Sequence, residues 1–130
     1  FMPRLASVYA KMLGERISKH NTAVYLINTG WSGGPYGVGK RIKIEYSRAM
    51  VTAAITGSLD IVKFSHNDFF NLNVPTECTG VPSAVLEPRN TWVDKDAYDL
   101  SAKKLSQMFV DNFKKFENIS DEIRLAGPKI

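Results

Sequence analysis

With 130 residues, 44% hydrophobic and 23% charged side chains, the chain has room for one domain with a core and the balance of an ordinary soluble globular protein. No stretch approaches the roughly 20 apolar residues of a membrane helix, and the start does not read as a basic-then-apolar secretory leader. The formal charge of +4 suits a phosphate-bearing partner, but no basic run exceeds two residues (Lys40-Arg41, Lys103-Lys104, Lys114-Lys115), which argues against a nucleic-acid binder.

Phe1-Met2-Pro3-Arg4 leads at once into a helical pattern, which reads as a cut through a larger protein. Over residues 5–19, Leu5, Val8, Tyr9, Met12, Leu13 and Ile17 recur at helical spacing and predict a helix with one apolar stripe for core packing, closed by His20-Asn21. Residues 22–29 are β-branched, aromatic and almost continuously apolar, so they predict a strand buried on both faces. Residues 30–39 hold five of the nine glycines together with Pro35 and read as a loop. The alternation over 41–46 predicts a half-exposed strand. Ser47 would then cap a helix over 48–56 that stops at Gly57, with Met50, Val51, Ala54 and Ile55 on its buried side.

Residues 61–65 alternate again and predict another strand. The stretch 66–93, with Pro75, Pro82 and Pro88, reads as irregular chain draped over a larger body. The longest helix is expected over 94–117, with Tyr98, Ala102, Leu105, Phe109, Phe113 and Phe116 on one face. Asp94 and Asp96 lie near its N-terminus and Lys114 and Lys115 near its C-terminus, each sign where the helix dipole favours it. Ser120-Asp121-Glu122 opens a short last helix ending at Gly127-Pro128.

Gly34-Pro35-Tyr36-Gly37-Val38-Gly39-Lys40 fills the first seven positions of the phosphate-binding pattern G-x-x-x-x-G-K, but Arg41 stands where a magnesium-binding Ser or Thr belongs. Pro35 removes one backbone donor, and the expected strand after Lys40 denies the loop the helix N-terminus that a phosphate cradle needs. Three readings stay open: a triphosphate cradle, a tight turn with a surface lysine, or a loop beside a nucleotide that does not hold its phosphates. His66 and Asp68 lack the further ligands of a metal cage. Cys78 has no partner for an internal disulfide, which fits a reducing compartment, and no nearby His to activate it. Trp31 and Trp92 read as packing residues, and His20 as a solvated helix end.

Longer strings carry more. Asn28-Thr29, then GWSGGPYGVGKRI (30–42), then Glu45-Tyr46-Ser47-Arg48-Ala49-Met50 resembles the adenine-side segment of ATP-dependent phosphoenolpyruvate carboxykinases. FNLNVPTECTGVPSAVLEPRNTW (70–92) is similar to the segment that follows it, and the terminal AGPKI (126–130) fits in order. The resemblance spans essentially the whole chain. It implies a mixed α/β fold, with residues 1–130 forming the last part of a C-terminal mononucleotide-binding domain.

By the same resemblance, the parent is a lyase of gluconeogenesis that converts oxaloacetate and ATP to phosphoenolpyruvate, ADP and carbon dioxide with magnesium and manganese. Its phosphate loop, metal ligands and catalytic groups would lie upstream, none within residues 1–130. Arg41 and Ile42 match the positions flanking the adenine, and Ser47 matches a nucleotide-contacting position usually held by Thr. The implied partners are the missing N-terminal part, ATP and oxaloacetate, with neither nucleic acid nor membrane. The expected address is the cytoplasm, since Pro128-Lys129-Ile130 is no peroxisomal signal. The segment alone is expected to be inactive and to expose an apolar patch where its missing part docks. A stand-alone nucleotide-binding or regulatory module reusing the segment is the alternative.

Overall fold

The computed structural model describes residues 3–129. Phe1, Met2 and Ile130, which enter the readings of the opening tetrapeptide and of AGPKI, lie outside the described residues. In chain order the elements are α1 (Ala6–His20), β1 (Trp31–Ser32), β2 (Lys40–Arg41), α2 (Ile44–Ile55), β3 (Phe64–Asn67), β4 (Leu72–Pro75), α3 (Ser83–Leu86), α4 (Pro88–Thr91), α5 (Lys95–Phe113) and α6 (Asp121–Leu125). The strands form two separate antiparallel pairs, β1 with β2 and β3 with β4. Mixed helix and strand is the expected class.

α1 forms where its stripe placed it. Asn21 ends it in the left-handed conformation at φ 47°, its amide reaching the Ile17 and Ser18 carbonyls. The stripe is not buried as expected: Leu5 and Leu13 are each 62% exposed. No described element covers that face.

The strand expected over 22–29 is absent. A strand needs a neighbour with which to exchange backbone hydrogen bonds, and no described segment ladders with this one. Its exposure still alternates with the period of extended chain. Tyr25 and Ile27 are half-buried, whereas Val24 is 64% and Leu26 82% exposed. Tyr25 packs on the core and donates its hydroxyl to Asp60 Oδ1 at 2.8 Å.

The strand expected over 41–46 is also corrected. β2 ends at Arg41 because its partner is two residues long, and α2 begins at Ile44. Lys43, not Ser47, is the N-cap, and Ser47 sits inside the helix with its amide on the Lys43 carbonyl at 3.2 Å. Glu45 falls in the first turn, where the helix dipole favours its charge. Gly57 follows the end of α2 as expected, at φ 73°.

β3 starts at Phe64, so Ile61 and Val62 belong to the preceding turn, and Ile61 is 90% exposed. The stretch read as irregular contains β4, α3 and α4. The two helices are entered at Pro82 and Pro88, where proline's fixed φ and missing donor do no harm. At four residues each they are too short to show a period.

The core is small. Ala53, Leu59, Cys78 and Val81 are buried together, ringed by Tyr25, Tyr46, Met50, Val85 and Leu86. A second packed zone lies under α5, where Tyr98, Ala102 and Ser106 are buried. Phe69 meets Tyr98 and Phe70 meets Phe109 edge-on, with ring centroids 6.1 and 6.4 Å apart. The outer part of the expected α5 stripe is open, Leu105 being 43% and Phe109 53% exposed. The chain exposes 10139 Å², against about 6,900 Å² for a compact monomer of 14.5 kDa.

Asp94 caps α5, its carboxylate accepting from the Ala97 amide at 2.9 Å. Asp94→Ala is expected to lower stability by about 1 kcal/mol, measured by chemical denaturation of the complete protein. A stability equal to wild type would mean the cap contributes nothing.

Candidate functional site

The glycine-rich stretch folds into a hairpin from local chemistry. Asn28 organises its entry: its Oδ1 accepts from the Gly30 amide at 2.8 Å and its Nδ2 donates to the Trp31 carbonyl at 3.3 Å. Trp31 pairs with Arg41 and Ser32 with Lys40, and the Ile42 amide continues the ladder to the Gly30 carbonyl at 2.9 Å. At the tip the Pro35 carbonyl accepts from both Val38 and Gly39, at 3.0 and 2.9 Å. Gly37 supplies the φ of 86° that this turn requires. Gly39 is buried against the returning chain: a Cβ on it would lie 2.6 Å from the Gly34 carbonyl oxygen and 3.0 Å from that of Ser32.

This geometry bears on the phosphate-loop pattern. The Val38, Gly39 and Ile42 amides are turned inward onto carbonyls, so they do not line a cradle. α2 begins beyond Lys43 rather than directly after Lys40. The hairpin instead presents an aromatic pair, Trp31 on β1 and Tyr36 in the turn, with centroids 6.5 Å apart and Tyr36 97% exposed.

Arg41 ends β2 with its side chain in solvent. Ile42 is half-buried. With its N–H committed to Gly30, it has its carbonyl and its apolar side chain to offer. Ser47 is half-buried in α2 and lines an open groove with Arg48, Val51 and Thr52. Arg41 and Ile42 are not on that lining; the three residues stand along one hairpin-to-helix path. Between them Lys43 lies 3.4 Å from Glu45 and 5.4 Å from the Tyr46 ring centre. Glu45 and Tyr46 hold its ammonium above the usual lysine range.

Sequence reasoning missed Asn28, whose role shows only once the turn is formed, and it missed Thr91. Ser32 Oγ donates to Thr91 Oγ1 at 3.0 Å, tying the hairpin to α4. A second open groove, between β4 and α3, is lined by Ser65, Thr76, Ser83, Glu87 and Asn90 among others. His66 contacts Asn73 at 3.2 Å and Asp68 at 3.7 Å on the exposed face of β3. Cys78 is buried, and burial pushes its thiol up, away from the thiolate a nucleophile needs. Trp92 packs edge-on against Tyr98 at 5.7 Å.

A glycine hairpin feeding a helix, with short strands and helices mixed along the chain, defines an α/β protein. The phosphoenolpyruvate carboxykinase family model matches residues 1–84. The chain is 59% identical over 129 residues to the phosphoenolpyruvate carboxykinase (ATP) of Caldanaerobacter subterraneus subsp. tengcongensis, covering 99% of this chain and 25% of that protein. It is 57% identical over 130 residues to the one of Fusobacterium nucleatum, covering 99% and 25%. It is 54% identical over 130 residues to phosphoenolpyruvate carboxykinase (ATP) 2 of Moorella thermoacetica, covering 100% and 25%. The chain belongs to the phosphoenolpyruvate carboxykinase family. It spans about a quarter of the length of the curated relatives it matches. Among the described residues no helix is long and apolar enough to cross a membrane.

Proposed function

We propose that residues 1–130 are the C-terminal part of the nucleotide-binding domain of a cytoplasmic ATP-dependent phosphoenolpyruvate carboxykinase, and that they supply the adenine side of its ATP site. The parent reaction converts oxaloacetate and ATP to phosphoenolpyruvate, ADP and carbon dioxide. The observation that carries the reading is the hairpin over 30–42, which delivers Arg41 and Ile42 to the start of α2, the helix that bears Ser47. The excess exposed surface and the open faces of α1 and of residues 22–29 are what a body packed against further polypeptide would show when seen alone. A stand-alone module gains nothing from relatives about four times the chain's length.

The residues present fit a purine. The exposed Arg41 guanidinium can lie on a base face, a contact of about 0.5–2 kcal/mol. The Ile42 carbonyl can accept from an exocyclic amine while its side chain meets the ring, and the Ser47 hydroxyl can reach a ribose or base polar atom. The bound nucleotide supplies the phosphoryl group. These residues hold its far end so that transfer, which depends on positioning, occurs in register.

Magnesium and manganese belong to the complete enzyme in this reading. Among the described residues no three His, Cys, Asp or Glu side chains gather in one place, and in this reading the ligands of both ions are assigned to the rest of the protein. Catalytic groups and the phosphate loop are assigned upstream, and the segment alone is expected to be inactive.

In the complete protein, Arg41→Ala is expected to raise the KM for ATP about 2- to 30-fold, the range its stacking contact spans, while the KM for oxaloacetate and the melting temperature stay put. A raised KM for oxaloacetate with an unchanged KM for ATP would end the assignment.

A further inference from the structure

The hairpin that carries Arg41 is too short to hold its own angle. Its ladder has two residue pairs, Trp31 with Arg41 and Ser32 with Lys40, plus the Ile42 to Gly30 hydrogen bond. An isolated two-stranded hairpin is marginally stable at best in water, so its orientation must be set by what it leans on.

It leans on α4. Ser32 Oγ donates to Thr91 Oγ1 at 3.0 Å, and Thr91 Oγ1 donates onward to the Pro88 carbonyl at 2.6 Å. The hydroxyl chain therefore runs one way, from β1 into the body of α4. The backbones are close as well: a Cβ on Gly33 would lie 3.2 Å from the Thr91 carbonyl oxygen.

α4 is in turn bolted to the long α5. Arg89 donates through Nε and Nη2 to the two carboxylate oxygens of Asp99, at 2.8 and 3.0 Å. Lys95 Nζ donates to the Arg89 and Trp92 carbonyls at 2.8 and 2.7 Å, satisfying the C-terminal end of α4. Four residues of helix are thus held by a 19-residue one, and the hairpin is held by the four.

We infer that Thr91 is a positioning residue for the nucleotide base: with Ser32 it latches the glycine-rich hairpin to the α4–α5 brace and so fixes where Arg41 and Ile42 point. Thr91 acts through Ser32 rather than on the nucleotide. Ser32 pairs with Lys40, next to Arg41, so a shift at the latch passes across the ladder directly to the base-contacting residue. This inference rests on the adenine-side reading of Arg41, and the experiment separates the two.

Thr91→Val keeps the branched shape and removes the hydroxyl. In the complete protein it is expected to speed amide hydrogen exchange at Gly39 and Ile42. It should also raise the KM for ATP about 2- to 10-fold, the scale of one hydrogen bond, with kcat and the KM for oxaloacetate unchanged. Thr91→Ser should restore both readouts. Ser32→Ala should reproduce the effect, and combined with Thr91→Val it should add nothing. Wild-type exchange and a wild-type KM for ATP in Thr91→Val and Ser32→Ala, beside an Arg41→Ala variant that raises that KM, overturns the latch and leaves the base site standing. A wild-type KM for ATP in all three overturns the base site, and Thr91's role with it, even if the exchange at Gly39 quickens.

Discussion

Gly39→Ala is expected to unseat the hairpin with a single methyl group. The added Cβ would sit 2.6 Å from the Gly34 carbonyl oxygen and 3.0 Å from that of Ser32. Both are backbone atoms with no rotamer into which to retreat. One strand must move away from the other, and overpacking of this kind costs about 1–3 kcal/mol. Gly39 directly precedes Lys40 and Arg41, so the separation shifts both relative to β1. The variant should therefore lose both thermal stability and ATP affinity, its KM for ATP rising at least as far as in Arg41→Ala. Arg41→Ala, by contrast, should leave the melting temperature alone. Gly37→Ala is the control: a Cβ there meets nothing within 4 Å, but the φ of 86° puts an L-residue in the left-handed region. It should cost about 1–2 kcal/mol without crowding the strands. A Gly39→Ala protein with wild-type melting and wild-type KM would show that the two strands do not need their close approach.

The second large effect is expected at Ser106, only 2% exposed in the middle of α5. Its hydroxyl donates to the Phe69 carbonyl at 2.7 Å, pinning the β3–β4 turn to the helix. Around it Phe69 packs on Tyr98 and Phe70 on Phe109, and Asn71 Nδ2 reaches the Ala126 carbonyl at 3.0 Å. Ser106→Ala removes the Oγ donor and takes from the Phe69 carbonyl its partner, a loss of about 1–3 kcal/mol. Ser106→Leu leaves the same carbonyl unpaired and adds overpacking of about 1–3 kcal/mol. Chemical denaturation of the complete protein should rank wild type above Ser106→Ala above Ser106→Leu. If Ser106→Leu proved the most stable, the site would be an unfilled apolar pocket rather than a hydrogen-bonded joint.

α1 and α5 were legible in the sequence because a stripe repeated over four or five turns leaves little doubt about its period, and because Asp94 marks where α5 starts. Residues 41–46 misled because six alternating positions fit the opening of a helix as well as a strand, and the two-residue partner that ends β2 is invisible in the pattern. Residues 22–29 misled for a different reason. Their composition does encode extended chain, and Tyr25 and Ile27 still face inward, but a strand is completed by its neighbour and none of the described residues supplies one. α3 and α4, at four residues each, carry no readable period. In the candidate site, glycine content located a loop over residues 30–39, and the pairing that makes it a hairpin shows only in the fold. The roles given to Arg41, Ile42 and Ser47 came from resemblance, because nothing in their spacing distinguishes a base contact from a surface cation and a helix hydroxyl. The Ser32–Thr91 contact joins residues 59 apart and leaves no local trace.

The most direct test is a crystal structure of the complete protein with a non-hydrolysable ATP analogue. The purine is expected to lie flat on the Arg41 guanidinium, its edge toward the Ile42 carbonyl, with the Ser47 hydroxyl within hydrogen-bonding reach and the phosphates held by polypeptide outside residues 1–130. A purine bound away from Arg41 and Ser47, or a triphosphate seated in the Gly34–Lys40 loop, would contradict it.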